Sequence, residues 1–338
     1  MKLAVIENET RIHTDQDYIL QAKNIKKYFP IKGGILKHTI GHVKAVDDVS
    51  LSVLRGETLG IVGESGSGKS TLGRVLLRLM DPTEGQIVFE DQDITKMRYR
   101  KLRPIRRDMQ IVFQDPFASL NPKMSVSELI EEPLIVQTNL TKAERKEKTI
   151  TLLEKVGLRS EDRFKYPHEF SGGQRQRISI ARALTLNPKF VICDEPVSAL
   201  DVSIQAQVLN LMADLQDEFN LTYLFIAHDL SVVKHISDRV AVMYLGRIAE
   251  IAPKKNLYET PLHPYTQALL SAVPSTDILH KKEKIILKGD LPSPSNPPSG
   301  CTFRTRCPMV HEKCSEVRPE LTEVGNGHLV ACHLYTGK

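Results

Sequence analysis

With 338 residues, 41% hydrophobic and 26% charged, the chain has the make-up of an ordinary folded protein, long enough for one large domain and a smaller one. Its net charge of +5 is a mild basic balance that suits a site beside an anionic membrane or a plain solvated surface. No apolar run reaches the roughly 18 residues a membrane-crossing helix needs, and residues 1–11 lack the apolar stretch of a secretory leader. The chain is therefore expected to stay in the cytoplasm, with its five cysteines reduced rather than bridged.

In chain order, Tyr18 to Ile25 and Val43 to Val53 alternate apolar and polar residues and predict strands, with Lys32 to His42 as a loop between them. Thr58 to Val62 predicts a short apolar strand running into a glycine-rich turn. A helix follows from near Lys69 to near Met80, stopped by Asp81 and Pro82. Arg98 to Arg107 holds five arginines and a lysine, which invites a nucleic-acid reading. With one aromatic and no recognised nucleic-acid module, it reads instead as a solvated helix face, and no nucleic acid is expected as a partner. Helical pattern then dominates, with Glu128 to Val136 and Lys142 to Val156 as its clear segments. Strands return at Phe190 to Cys193, Thr222 to Ala227 and Arg239 to Leu245. This alternation predicts an α/β core around a buried, largely parallel sheet, with a helical subdomain inserted at about 115–180. The Pro-rich stretch Leu291 to Pro298 predicts an extended connector. The expected division is residues 1–255 as the nucleotide-handling domain and 256–338 as a small Cys-rich extension.

Gly63, Glu64, Ser65, Gly66, Ser67, Gly68, Lys69, Ser70 and Thr71 form G-x-x-x-x-G-K-S-T between a predicted strand and a predicted helix. Glycines let the backbone curl so that successive N–H groups point at phosphates, and the helix N-terminus adds partial positive charge. Lys69 is expected to reach the β- and γ-phosphates of ATP, and the Ser70 hydroxyl to ligate Mg²⁺. Downstream, the apolar run Phe190 to Cys193 ends in Asp194 and Glu195. Asp194 is placed to hold the Mg²⁺ shell and Glu195 to accept a proton from an attacking water.

Ser171-Gly172-Gly173-Gln174-Arg175-Gln176-Arg177, ahead of that acidic pair, resembles the signature of ATP-binding-cassette (ABC) ATPases, with Phe170 where the family often has Leu. The resemblance implies a P-loop, RecA-like ABC ATPase core. It makes Gln114 the Q-loop glutamine that contacts Mg²⁺ or the attacking water, Asp201 part of the D-loop and His228 the switch histidine at the γ-phosphate. It also implies an aromatic stacked on adenine upstream of the phosphate loop; Phe29 is the choice and Tyr28 the alternative. Two cassettes sandwich ATP in this family, so Ser171, Gly172, Gly173 and Gln174 act on the partner's nucleotide.

Further segments resemble the F-type ATP-binding subunits of oligopeptide/dipeptide permeases: Asp115 to Pro122, Tyr166 to Phe170, Glu195 to Ser203 and His263 to Leu270. That resemblance implies a subunit energising import of peptides or a related solute from the cytoplasmic face of the cell membrane. Its partners would be two membrane-spanning permease subunits, an extracytoplasmic solute-binding protein and a D-type sister cassette. The alternatives are a related nickel or oligosaccharide importer, and a soluble ABC ATPase acting on nucleic acid or ribosomes. Cys301, Cys307, Cys314 and Cys332 are separated by five, six and seventeen residues, which fits neither paired zinc ligands nor the bacterial ferredoxin spacing. The permease resemblance implies a [4Fe–4S] cluster there; Zn²⁺ or free thiols are the alternatives. Cys193, inside an apolar strand, reads as a core residue.

Overall fold

The computed structural model describes residues 17–33, 38–273 and 284–335 and begins with a long antiparallel hairpin. Strands β1 (Tyr18–Gly33) and β2 (His38–Leu54) pair from Tyr18↔Leu54 to Gly33↔His38. Val49, Leu51 and Val53 are buried while Ser50 and Ser52 stay partly exposed, the period-two pattern of a half-buried strand. The loop expected at 32–42 is largely strand, because cross-strand pairing carries Lys32, Gly33 and His38–His42 onto the ladder despite their turn-like composition. Residues 34–37, and the stretch 1–11 expected to be no secretory leader, lie outside the described residues.

Strand β3 (Thr58–Val62) is buried throughout and leads through the phosphate loop into helix α1 (Lys69–Leu76). Strands β4 (Glu84–Phe89) and β5 (Gln92–Asp93) complete a four-stranded antiparallel sheet, ordered β2-β1-β4-β5. The basic run forms α2 (Tyr99–Ile105), whose Arg100, Lys101 and Arg103 are exposed. After β6 (Met109–Val112) come α3 (Pro116–Ser119), α4 (Val126–Gln137), α5 (Lys142–Lys155) and α6 (Gly172–Leu184). Reciprocal capping by Ser125 with Glu128, Thr141 with Glu144 and Ser171 with Gln174 fixes where the last three begin. Helix α4 packs on α5 and α6, so this helical block has its own apolar seam, Leu129, Ile130, Leu153 and Ile178 among it.

Strand β7 (Phe190–Asp194), helix α7 (Val202–Phe219), strand β8 (Thr222–Ile226), helix α8 (Leu230–Ile236) and strand β9 (Arg239–Tyr244) return the chain to the core. Strands β3, β6, β7, β8 and β9 are parallel, and β7 and β8 are buried along their whole length, as continuous apolar runs demand. Strand β10 (Arg247–Pro253) turns back antiparallel to β9.

The tail holds α9 (Lys254–Glu259), α10 (Pro264–Ala272), α11 (Lys313–Glu316) and two short strands, β11 (Thr322–Glu323) and β12 (Leu329–Val330). Residues 291–298 carry no helix or strand, in keeping with a connector. Strand β12 pairs with β10 through Glu250↔Val330 and Ile251↔Leu329, so the tail extends the main sheet, whose order is β11-β12-β10-β9-β3-β8-β7-β6. Glu250, fully buried, anchors this junction. It accepts from the backbone N–H of Leu262 at 2.8 Å and of His263 at 3.0 Å, and lies 2.6 Å from His328 Nε2.

His263 caps α10 by accepting the Tyr265 N–H on Nδ1 at 3.0 Å, so its ring is neutral. Burial pushes it down to about 4, against the opposing pull of Glu250. A folded value below the unfolded one means the contribution to stability is complete above pH ~6.5 and drains away as pH falls toward ~4, about 3 kcal/mol in all. His263→Asn keeps a capping side chain without the titration. In chemical denaturation, the wild-type advantage over this variant should shrink between pH 7 and pH 4.5; a constant difference would disprove the assignment.

Candidate active site

The phosphate loop takes its shape from two crowded glycines. Gly68 caps α1 with a φ of 101°, and a Cβ there would lie 2.0 Å from the Ala45 carbonyl oxygen. At Gly63 a Cβ would lie 2.1 Å from the Met243 carbonyl oxygen. The loop is thereby pressed between the hairpin and β9. Lys69 is buried, and its Nζ donates to the Gly63 oxygen at 2.8 Å and the Glu64 oxygen at 3.1 Å. Burial lowers its pKa, with Glu195 the foremost of the acids that oppose the shift.

Ser70 and Asp194 meet across the loop, the hydroxyl donating to Asp194 Oδ1 at 2.6 Å. Arg74 Nη2 stands 3.9 Å from the other carboxylate oxygen. Burial nonetheless holds the Asp194 pKa above the usual carboxylate range. A hydroxyl beside a buried carboxylate short of positive charge suits a hard divalent cation.

Glu195, one residue on, has a left-handed backbone with φ of 47°. Gln114 Nε2 donates to Glu195 Oε2 at 2.9 Å, and His228 Nδ1 lies 3.3 Å from the same oxygen. Three residues expected to act together, from β6, β7 and β8, thus converge on one carboxylate. Held by an amide and an imidazole, that carboxylate can orient and deprotonate a water.

Ser171 caps α6, and Gly173 lies against α7 where a Cβ would come 2.5 Å from Ile204 Cγ2. Ser119 joins α3 to α6 through the Ser179 hydroxyl at 3.1 Å and through Arg182 Nη1, which donates to its carbonyl at 2.9 Å. The signature helix is therefore tied to the segment that carries Gln114. Among the described residues, no hydrogen bond or ion pair joins Ser171–Gln174 to the phosphate loop of the same chain. Asp201 caps α7 without a side-chain bond and is exposed. Tyr28 is engaged, its phenol donating to Asp47, whereas the Phe29 ring is 36% exposed with Lys27 Nζ 5.2 Å from its centroid. Cys193 is buried in β7, as read from its strand.

Burial, opposed by a backbone hydrogen bond at Phe303 and aided by Cys314, Cys332 and Cys307, brings the Cys301 thiol up to about 11, and the Cys301 N–H donates to the Cys314 carbonyl at 2.8 Å. Among the described residues no group of three or more His, Cys, Asp or Glu side chains is arranged to hold a metal ion. The [4Fe–4S] reading and its Zn²⁺ alternative therefore gain no support from this geometry. No sequence signal marks Arg306, and Tyr265 is marked only as part of the His263 to Leu270 resemblance; both reach Glu64 of the phosphate loop from the tail. Arg74, in the last turn of α1, likewise belongs to no sequence motif.

Residues 46–198 match the family described as ABC transporter, and residues 249–314 match the oligopeptide/dipeptide transporter C-terminal region. The chain is 60% identical to the oligopeptide transport ATP-binding protein AppF of Bacillus subtilis, covering 95% of this chain and 99% of that one. It is 52% identical to the dipeptide transport ATP-binding protein DppF of Escherichia coli, covering 96% of each. Among solved structures, the dimeric ABC transporter cassette MJ0796 superposes with a TM-score of 0.62 at 29% identity, over 70% of this chain and 98% of that one. Fold, ordered motifs and full-length likeness agree: the chain belongs to the oligopeptide/dipeptide transporter family of ABC ATP-binding proteins.

Proposed function

We propose that the chain binds and hydrolyses ATP to drive import of di- or oligopeptides. The observation that carries this reading is the meeting of Gln114, Glu195 and His228 beside the Ser70–Asp194 pair. The names of the full-length relatives supply the solute class and favour transport over a soluble role on nucleic acid or ribosomes. In this reading residues 1–255 form the motor and 256–338 the appended extension.

The phosphate loop cradles the triphosphate through its backbone N–H groups, and Lys69 leaves the Gly63 and Glu64 carbonyls to bond the β- and γ-phosphates. Phe29 stacks on adenine, because Tyr28 is committed to Asp47. Ser70 and Asp194 would hold Mg²⁺, which when bound would neutralise charge developing on the γ-phosphate. Glu195 takes the proton of a water in line with that phosphate; Gln114 and His228 fix its carboxylate, and His228 turns to the γ-phosphate.

Ser171, Gly172, Gly173 and Gln174 present the N-terminus of α6 to the γ-phosphate held by a second cassette, with Asp201 at the boundary between them. The dimeric state of the MJ0796 cassette supports this arrangement. The second cassette is a D-type sister chain. Two membrane-spanning permease subunits and an extracytoplasmic solute-binding protein complete the importer. No helix among the described residues is long and apolar enough to cross a membrane; on the permease resemblance, the chain works peripherally at the cytoplasmic face. On the permease resemblance alone, Cys301, Cys307, Cys314 and Cys332 would ligate a [4Fe–4S] cluster, a reading to which the arrangement of the described side chains lends no support.

Glu195→Gln in the assembled transporter should retain ATP binding and cut steady-state hydrolysis about a hundredfold or more; undiminished turnover would remove Glu195 from the role. Ser65→Cys in one copy and Ser171→Cys in its partner cassette should cross-link when nucleotide is trapped, and failure under every nucleotide condition would sink the shared site. For the cysteines, anaerobic protein should carry about four irons per chain and absorb broadly near ~400 nm. A colourless chain with one zinc or with free thiols would refute the cluster.

A further inference from the structure

Glu64 poses a problem for a loop built to receive a polyanion. It sits one residue into the phosphate loop, and its carboxylate would repel the triphosphate across a short distance. Two residues from the far end of the chain hold it. Arg306 Nη1 donates to Glu64 Oε2 at 2.8 Å, joining positions 242 residues apart in sequence. The Arg306 side chain is 11% exposed and that of Glu64 28%, so the pair is partly withdrawn from water, where such attraction is less screened. The Arg306 guanidinium also lies 6.0 Å from the Tyr244 ring centroid.

Tyr265, fully buried, holds the same residue by its backbone, its phenolic oxygen accepting the Glu64 N–H at 3.0 Å. Its ring sits 4.7 Å from Tyr244 and 5.4 Å from Phe303, centroid to centroid, and Phe303 is two residues after Cys301. Both grips therefore stand on one aromatic block joining β9, α10 and the tail.

We propose that Arg306 and Tyr265 are positioning residues of the phosphate loop, Arg306 neutralising and fixing the Glu64 carboxylate and Tyr265 fixing its peptide, so that the tail sets the loop's affinity for ATP. The proposal rests on the ATP-binding reading above. It differs from a role in chemistry, since neither residue has to touch the nucleotide. The carboxylate left unpaired without Arg306 should weaken binding in the ground state and the transition state alike.

The test uses the full chain titrated with MgATP and the assembled transporter for kinetics. Arg306→Met should raise the Kd and KM for MgATP about tenfold, while kcat changes by less than about twofold. Arg306→Lys should recover part of the loss. In the Glu64→Gln background the same Arg306→Met change should cost little, because no carboxylate remains to neutralise. Tyr265→Phe, a milder change, should raise Kd about threefold by orphaning the Glu64 N–H. If wild-type chain binds MgATP and Arg306→Met binds it equally well, the proposal is wrong. An equal deficit with and without Glu64→Gln would also overturn it, since a damaged tail rather than an unpaired charge would then be the cause. Wild-type chain that does not bind MgATP would instead fell the nucleotide reading, and this proposal with it.

Discussion

Hydrogen-bonded parallel register governs where the chemistry can gather. Val112 pairs with Cys193, Asp194 with Ile226, and Ile61 with Ile226, so β6, β7, β8 and β3 end at one level of the sheet. Each strand then releases its next residues at the same edge: Gln114 after β6, Glu195 after β7, His228 after β8, and the phosphate loop after β3. Parallel strands always deliver their carboxyl ends to one side, which is why open α/β sheets bind ligands there. A slip of one residue in β7 would turn Asp194 to the opposite face and separate Ser70 from its carboxylate partner.

That edge is built with its charges under tension. Burial raises the pKa of Asp194 and lowers that of Lys69, so each resists its charged form for want of solvent and full pairing. Meanwhile Lys69 spends its donors on two loop carbonyls, and Asp194 takes a single hydroxyl. A triphosphate with a divalent cation would satisfy both groups at once, which gives a physical reason for strong coupling between the two ligands. Glu195, by contrast, is already gripped from two sides, and its left-handed backbone holds it where β7 ends.

The tail is fastened to this machinery at two depths. Deepest is Glu250, whose two backbone donors and His328 bind α10 and β12 to the edge of the main sheet. Nearer the site, Tyr244 packs edge to face on Tyr265 and Phe303, which tilt against each other, and this block carries the contacts to Glu64. Because β12 pairs with β10, β10 with β9 and β9 with β3, hydrogen-bonded structure runs unbroken from the tail to the strand that leads into the phosphate loop.

Local chemistry made the loop, the Asp194–Glu195 strand end and the bodies of α4 and α5 readable from sequence, because glycine sterics, apolar runs and helical periodicity act within a few residues. Gln114, Asp201, His228 and the Ser171 helix terminus were legible only as an ordered set, since each residue alone carries no such meaning. What sequence could not supply was pairing across distance. The turn-like stretch at 32–42 became ladder because its partner strand was there, and β12 found β10 across the Pro-rich connector. Likewise Arg306 found Glu64 only through the packing of a tail that follows every motif. Short-range propensity determined the parts; which of them touch was decided by burial and register, which exist only once the chain is folded.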